Sequence, residues 1–341
     1  MNSPSVAIVI LNYNGRNYLE TFLPSVIGST YPNQKIIVAD NASTDDSVLF
    51  LATNYEAVEI ILLEKNYGFA GGYNQALSKV EADYYILLNS DVEVTPQWLQ
   101  PVIALMDNDS SIAAAQPKIL SYRNKNKFEY AGAAGGLIDR LGYPFCRGRM
   151  FDTLEEDYGQ YNDTVPIFWA SGACFFMRAD RYHEVGGLDE DFFAHMEEID
   201  LCWRLTRAGH TIFYQGQSTV YHVGGGTLSA SNPRKTYLNF RNGLSLLVKH
   251  QRFSSLIWKF PFRILLDWTA ALHFLLIGSG VHAKAVIIAH LSFMKRIRHE
   301  IVKRAMVADQ VKTFRTGHIY RGLIVFDYFL FGRKSVKNLK I

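Results

Sequence analysis

Asn89-Ser90-Asp91 closes the apolar run of residues 84–88 (YYILL), placing a carboxylate where a buried strand would give way to a loop. A carboxylate held there can bind a hard divalent cation, Mg2+ or Mn2+, and the cation can in turn hold a diphosphate. Asp40 is placed in the same way after residues 35–39 (KIIVA). Glu197, Glu198 and Asp200 open a helical pattern that also carries Trp203 and Arg204. Acids in a first turn suit the helix dipole, and Asp200 with Arg204 makes an i,i+4 pair. Glu197 and Glu198 are less easily explained, because adjacent carboxylates repel. One of them is expected to hold its proton to higher pH and to serve as a general base. His222 ends another apolar run, ahead of Gly224-Gly225-Gly226. A lone histidine is usually structural, but a metal on Asp91 needs further ligands and His222 is the candidate.

These residues need a frame, and the first half of the chain supplies one. Residues 6–11 (VAIVIL), 35–39, 59–63 (EIILL) and 84–88 read as buried strands rich in β-branched or aromatic residues. Helix-compatible stretches lie at 17–26, 45–52, 71–80 and 95–106, the last with Pro96 suited to a first turn. Alternation of this kind predicts an α/β fold with a mostly parallel sheet covered on both faces. Ligands of such sheets bind beyond the C-terminal strand ends. Each predicted strand end empties into Asn, Asp, Ser or Gly: Asn12 and Asn14; Asp40 and Asn41; Asn66, Gly68, Gly71, Gly72 and Asn74; then Asn89, Ser90 and Asp91. Any one of these is an ordinary turn former, but four in succession converge on one sheet edge.

From 110 to 166 the pattern is irregular. Ser171-Gly172 then leads a small-residue turn into a strand, and residues 186–193 (GGLDEDFF) read as a loop. A helix is predicted over 197–208, with Gly209 as its C′ residue.

The net charge of +3 conceals an asymmetry: residues 1–249 balance at −9 and residues 250–341 at +12. Forty-eight per cent apolar residues exclude a disordered chain or a charged coiled coil. The three cysteines, Cys146, Cys174 and Cys202, form no C-x-x-C pair, which argues for structural thiols in a reducing compartment. Residues 6–11 are too short for a secretory signal and lack a basic leader, so a cytoplasmic location is expected.

The expected division is an acidic body over 1–249 followed by a helical, basic region over 250–341. Residues 264–291 are strongly apolar but interrupted, too short a run for a span of about 20 residues. Ile287, Leu291, Met294, Ile297, Ile301 and Ala305 recur at helical spacing among Lys295, Arg296, Arg298, Lys303 and Arg304. A basic amphipathic helix of this kind suits an anionic membrane surface, and the competing reading is packing on the body or in a homodimer. No nucleic-acid module accompanies the charge.

Residues 5–245 resemble the inverting glycosyltransferases of family 2, which have the GT-A fold. The resemblance is carried by VAIVILNYNG (6–15), VADNASTDDS (38–47), NYGFAGGYNQAL (66–77), LLNSDVEV (87–94), GGLDEDFFAHMEEIDLCWRLTRAGH (186–210) and YHVGGGT (221–227). The subgroup it is most similar to is rhamnosyltransferase-like, acting in bacterial surface-polysaccharide synthesis. The resemblance implies that Asp40 meets the pyrimidine base, with Asn12, Asn14 and Asn41 beside the nucleotide. It places Asn66, Gly68, Gly71, Gly72 and Asn74 around the nucleotide-sugar, together with Asn89 and Ser90. Asp91 matches the last acid of a D-x-D metal motif whose first acid is Asn89 here, and His222 a late metal ligand. Glu198 matches the catalytic base, with Glu197 beside it. The resemblance makes residues 1–249 a catalytic unit with its nucleotide-binding half at about 1–120 and its acceptor-binding half at about 121–249, in which Ser171, Gly172 and Trp203 are the candidates for acceptor contact.

The expectation is therefore a Mg2+- or Mn2+-dependent enzyme on the inner face of the plasma membrane. It would move a sugar from a dTDP-rhamnose or UDP-sugar donor to a hydroxyl of a glycan or lipid-linked acceptor. Two competitors remain: a nucleotidyltransferase, which lacks its Gly- and Lys-rich phosphate loop here, and an inactive binding scaffold.

Overall fold

The computed structural model describes residues 3–224, 232–310 and 318–340. All four predicted strands form, as β1 (Val6–Asn12), β2 (Gln34–Asp40), β3 (Glu59–Leu62) and β4 (Tyr84–Asn89). They lie parallel in the order β4-β1-β2-β3. Their crossovers contain α1 (Arg16–Ile27), α2 (Ser47–Asn54) and α3 (Gly68–Leu77). Successive β1 residues point to opposite faces, and both faces are covered. Ile8 and Ile10 pack with Leu19, Leu23 and Trp98, whereas Ala7 and Val9 pack with Ala70, Tyr73 and Leu77.

After β5 (Val92–Val94) comes α4 (Leu99–Asn108), which starts later than the predicted 95. The Pro96 carbonyl accepts from Thr30, and the Trp98 indole donates to Ser29 Oγ at 2.8 Å, so residues 95–98 serve as an anchor turn. β6 (Ile112–Ser121) then enters the main sheet. A small sheet begins with β7 (Gly136–Asp139), β8 (Pro144–Cys146), β9 (Arg149–Met150) and β10 (Thr153–Leu154). β11 (Thr164–Ile167), β12 (Cys174–Arg178) and β13 (Thr211–His222) complete the main sheet in the order β11-β13-β6-β12-β4-β1-β2-β3, with β5 paired to β13. The predicted strand after Ser171-Gly172 is β12, antiparallel to β4. α5 (Ala179–Glu184) and α6 (Glu197–Ala208) separate β12 from β13. α6 has the predicted bounds and stops at Gly209, whose φ of 101° favours glycine.

The C-terminal part is helical: α7 (Pro233–His250), α8 (Phe253–Leu276), α9 (Gly280–Lys295), α10 (Ile297–Gln310) and α11 (Ile324–Phe329). The expected single amphipathic helix over 287–305 is corrected, because the chain breaks at Arg296 and divides that stripe between α9 and α10. β14 (Ile319–Tyr320) joins β7 in parallel and extends the small sheet. Part of the basic charge turns inward. Lys249 Nζ is 2.7 Å from Asp189, Arg296 and His299 are 2.8 and 2.6 Å from Asp191, and Lys303 pairs with both acids. Among the described residues no helix is long and apolar enough to cross a membrane. All three cysteines are buried free thiols.

Candidate functional site

The first strand ends converge as expected. Asn12 Nδ2 donates to Asp40 Oδ1 at 3.0 Å and to Ser43 Oγ at 3.2 Å, while Asp40 Oδ2 accepts from the Ser43 amide at 2.9 Å. Asn14 Oδ1 accepts from the Thr44 amide at 2.7 Å. Asp40 is buried, and the Oδ1 of the fully buried Asn12 has no hydrogen-bond partner within the protein. A buried acceptor left open is costly unless something else donates to it.

Asn41 carries the cluster into the glycine segment. Its Nδ2 donates to Asn66 Oδ1 and to the Gly68 carbonyl, at 3.2 and 3.0 Å, and its Oδ1 accepts from the Tyr67 amide at 2.9 Å. Gly68 has φ +72°, a conformation that suits glycine. At Gly72 a Cβ would lie 2.8 Å from the Leu11 methyls, so α3 rests on β1 only because the side chain is missing. Gly71 occupies the same helix, beside Tyr67 and Glu190. Asn74 is fully engaged, donating to the Leu188 carbonyl at 2.8 Å and Glu190 Oε1 at 3.1 Å, and accepting from Tyr182 Oη at 2.6 Å. It clamps α3 to the 186–193 loop.

At the end of β4, Asn89 and Ser90 are partly exposed and Asp91 is buried. His222 Nε2 lies 3.1 Å from Asp91 Oδ1 and His222 Nδ1 3.2 Å from Glu129 Oε2, with Asn89 Nδ2 at 3.5 Å from Nε2. Burial alone would depress the imidazole, but the hydrogen bonds and charges of the two carboxylates outweigh it and hold His222 up to about 10. Glu129 is pulled down by the same contact against the opposing effect of burial.

Among the described residues no group of three or more His, Cys, Asp or Glu is arranged to hold a metal ion. Asp91 and, once it gives up the proton that the two carboxylates hold on it, His222 nevertheless offer donor types that Mn2+ accepts, Mg2+ favouring the carboxylate. A site with two protein donors fits a cation completed by substrate phosphate oxygens and water. Gly225, Gly226 and Thr227 of the glycine motif lie outside the described residues.

Glu197 and Glu198 start α6 after a strained approach, with φ of 64° at Phe193, 67° at His195 and 77° at Met196. Asn242 of α7 donates to the carbonyls of Phe192, Ala194 and His195 at 3.1, 3.1 and 2.7 Å, which holds that approach in place. Glu197 is buried and Glu198 partly exposed, and each has a carboxylate oxygen with no hydrogen-bond partner. Burial raises Glu198 to about 7. Burial, and then the charge of Glu198, push Glu197 well above the usual carboxylate range. The pair is linked to the glycine segment, because the Phe69 amide donates to the Phe193 carbonyl at 3.0 Å.

Asp200 is the structural member of the acidic trio. It meets Arg204, Lys249 and His250, each at 2.8 Å, and is held well below its usual range despite burial.

The acceptor candidates fare differently. Trp203 lies in the core, stacked on His250 at 4.6 Å and edge-on to Phe168 at 5.2 Å, so the expectation that it meets an acceptor is corrected. Ser171 is buried, donating to the Ala131 carbonyl at 2.9 Å, and Gly172 is half-buried against Phe69. Sequence reasoning missed Glu129, which lies in the irregular stretch and reaches His222 only through tertiary structure.

A model described as glycosyl transferase family 2 matches residues 7–185. The chain is 26% identical over 233 residues to N-acetylglucosaminyl-diphospho-decaprenol L-rhamnosyltransferase of Mycobacterium tuberculosis, covering 63% of this chain and 75% of that one. It is 25% identical over 218 residues to rhamnosyltransferase WbbL of Escherichia coli K12, covering 61% and 80%. The mannosyltransferase PcManGT of Pyrobaculum calidifontis, solved with GDP-Man and Mn2+, shares the fold with a TM-score of 0.53 at 14% identity, over 92% of this chain and 88% of that one. Glu197, Glu198 and His222 lie beyond the residues that the family model matches.

Proposed function

This chain belongs to glycosyl transferase family 2, and from that premise we propose a hexosyltransferase that moves a sugar from a nucleoside-diphosphate donor to an acceptor hydroxyl with inversion. Relatives named as rhamnosyltransferases favour dTDP-rhamnose as donor, with a UDP-sugar as the alternative. They also favour a glycan or lipid-linked saccharide acceptor in cell-surface polysaccharide synthesis. On this reading residues 1–249 form the catalytic unit.

The observation that carries the reading is Glu198, a carboxylate with an unpartnered oxygen, raised to about 7 by burial. A group poised near neutral pH accepts a proton efficiently. Glu198 takes the acceptor hydroxyl proton as the acceptor oxygen bonds to the anomeric carbon. The bond from that carbon to the diphosphate breaks in the same displacement, and the nucleoside diphosphate leaves. Asp40 and the Asn12 Oδ1 acceptor face the nucleotide, and the Asn41-to-Gly68 segment packs against the donor. Asp91 and a deprotonated His222 would hold a Mg2+ or Mn2+ ion, which would supply charge neutralisation at the departing diphosphate.

Thermal shift against a panel of nucleotide-sugars, with and without Mn2+, tests this. A dTDP- or UDP-sugar is expected to stabilise the protein in a Mn2+-dependent manner, followed by transfer or slow donor hydrolysis. Metal-independent binding with no turnover would leave only a nucleotide-binding scaffold.

A further inference from the structure

Helix α8 is built inside out. Its charged residues turn toward the body: Arg263 Nε donates to Asp267 Oδ1 at 2.9 Å and Arg263 Nη1 to the Leu141 carbonyl at 3.1 Å. Tyr143 Oη donates to the same carboxylate at 2.9 Å, and His290 of α9 is 3.2 Å from its other oxygen. The opposite side presents Trp258, Leu265, Trp268, Leu272 and Leu276 to solvent, with Leu276 77% exposed. They recur three, four or seven residues apart, which is one face of a helix. On α9, packed against α8 through Ala271, Ala283 and Val286, the residues Val281, Ile288, Leu291 and Met294 are exposed at the same spacing. A helix that buries its ions and exposes its leucines leaves in water apolar surface whose burial would be favourable. Contiguous patches of this kind mark surfaces that are covered in use.

We propose that the exposed face of α8 and α9 lies on an anionic lipid bilayer, with its apolar side chains at the level of the headgroups and upper acyl chains. Charge selects this occupant. Between residues 253 and 295 the only acid is Asp267, and it is completely buried, whereas Lys284 and Lys295 are exposed on α9. A second copy of the chain would bring a face with cations and no anions against itself. Anionic headgroups complement the cations, and the acyl layer accepts the leucines. Trp258 and Trp268 are residues that favour this boundary. The helices rest on the bilayer and do not cross it, because the inward face of α8 carries Arg263 and Asp267. The inference stands apart from the catalytic reading, and joins it only in that a lipid-linked acceptor would be met at this surface.

Flotation of the full chain with vesicles tests it. The protein is expected to float with phosphatidylglycerol–phosphatidylcholine vesicles and much less with phosphatidylcholine alone. Brominated acyl chains should quench its tryptophan emission. Leu265→Glu with Leu272→Glu, both at exposed positions, should lower partitioning about tenfold or more while leaving donor turnover and solution mass unchanged. Equal flotation of variant and wild type overturns the proposal, as does flotation without quenching. Absent flotation, with a dimer that the double variant splits, would assign the face to self-association. Because donor turnover is read in the same samples, failure here is distinguishable from failure of the catalytic reading.

Discussion

His222 stands 3.1 Å from Asp91 because β5 runs antiparallel to the end of β13, with Val92 opposite His222. The register of two short strand segments brings together an acid and an imidazole that are remote in the chain. Glu129 approaches the other ring nitrogen and sets its orientation. Asp91→Ala is therefore expected to abolish Mn2+-dependent binding of a nucleoside diphosphate, measured by calorimetry. Glu129→Gln should weaken it about 10- to 100-fold. Unchanged affinity in Asp91→Ala would remove the metal from this site.

Glu198→Gln keeps size and shape but cannot take a proton. Transfer should fall by about 10²- to 10⁴-fold with donor affinity near wild type, and Glu197→Gln should do less. Steady-state kinetics on both variants decide it: a dead Glu197→Gln beside an active Glu198→Gln reverses the roles.

The same substitution has a stability signature. Glu198 is raised from 4.5 to about 7, so its stabilising contribution is complete below 4.5 and is lost as pH rises through 7. His250 is lowered by burial from 6.5 to about 4, so its contribution is complete above 6.5 and is lost as pH falls toward 4. The two slopes oppose each other in wild type. Above pH 7 the wild type carries an ionised carboxylate in a buried site, a cost that Glu198→Gln does not have. The variant should therefore gain about 1–3 kcal/mol on wild type between pH 5 and pH 8 and, with His250 left, weaken on acidification. Urea unfolding at pH 5 and pH 8 reads this directly, and an identical difference at both pH values would refute it.

Asp200→Asn should act on the fold. Removing one member of a buried ion cluster leaves Arg204 without its charge partner and Lys249 with Asp189 alone, and costs about 3–5 kcal/mol. The depressed carboxylate lends its stability above about 3.8 and loses it as pH falls further. A variant with wild-type unfolding but lost catalysis would move Asp200 into the chemistry.

The parallel half of the sheet was legible because strands buried on both faces are continuous β-branched runs, as in residues 6–11. α6 was legible from its acidic first turn and Gly209. Trp203 was misplaced, since its spacing on α6 cannot reveal that His250, from a helix still to come, covers its ring. Glu129 was invisible for the same reason. The amphipathic period over 287–305 was real, but a period says nothing of the break at Arg296. It also cannot say that α8 turns its charges inward, because an inverted helix has the same periodicity as an ordinary one.

Asn242 sets the order in which the molecule can be assembled. It grips the carbonyls of Phe192, Ala194 and His195 from a position later in the chain than the residues it holds. Lys249 and His250 close on Asp200 from later still. During synthesis the acidic turn therefore emerges before its partners exist. An expression fragment ending soon after β13 would keep Glu197, Glu198 and Asp200 but strand them without the Lys249 ammonium, the His250 ring and the Asn242 amide that set their geometry. The productive minimum for a refolding or display experiment extends at least through residue 250.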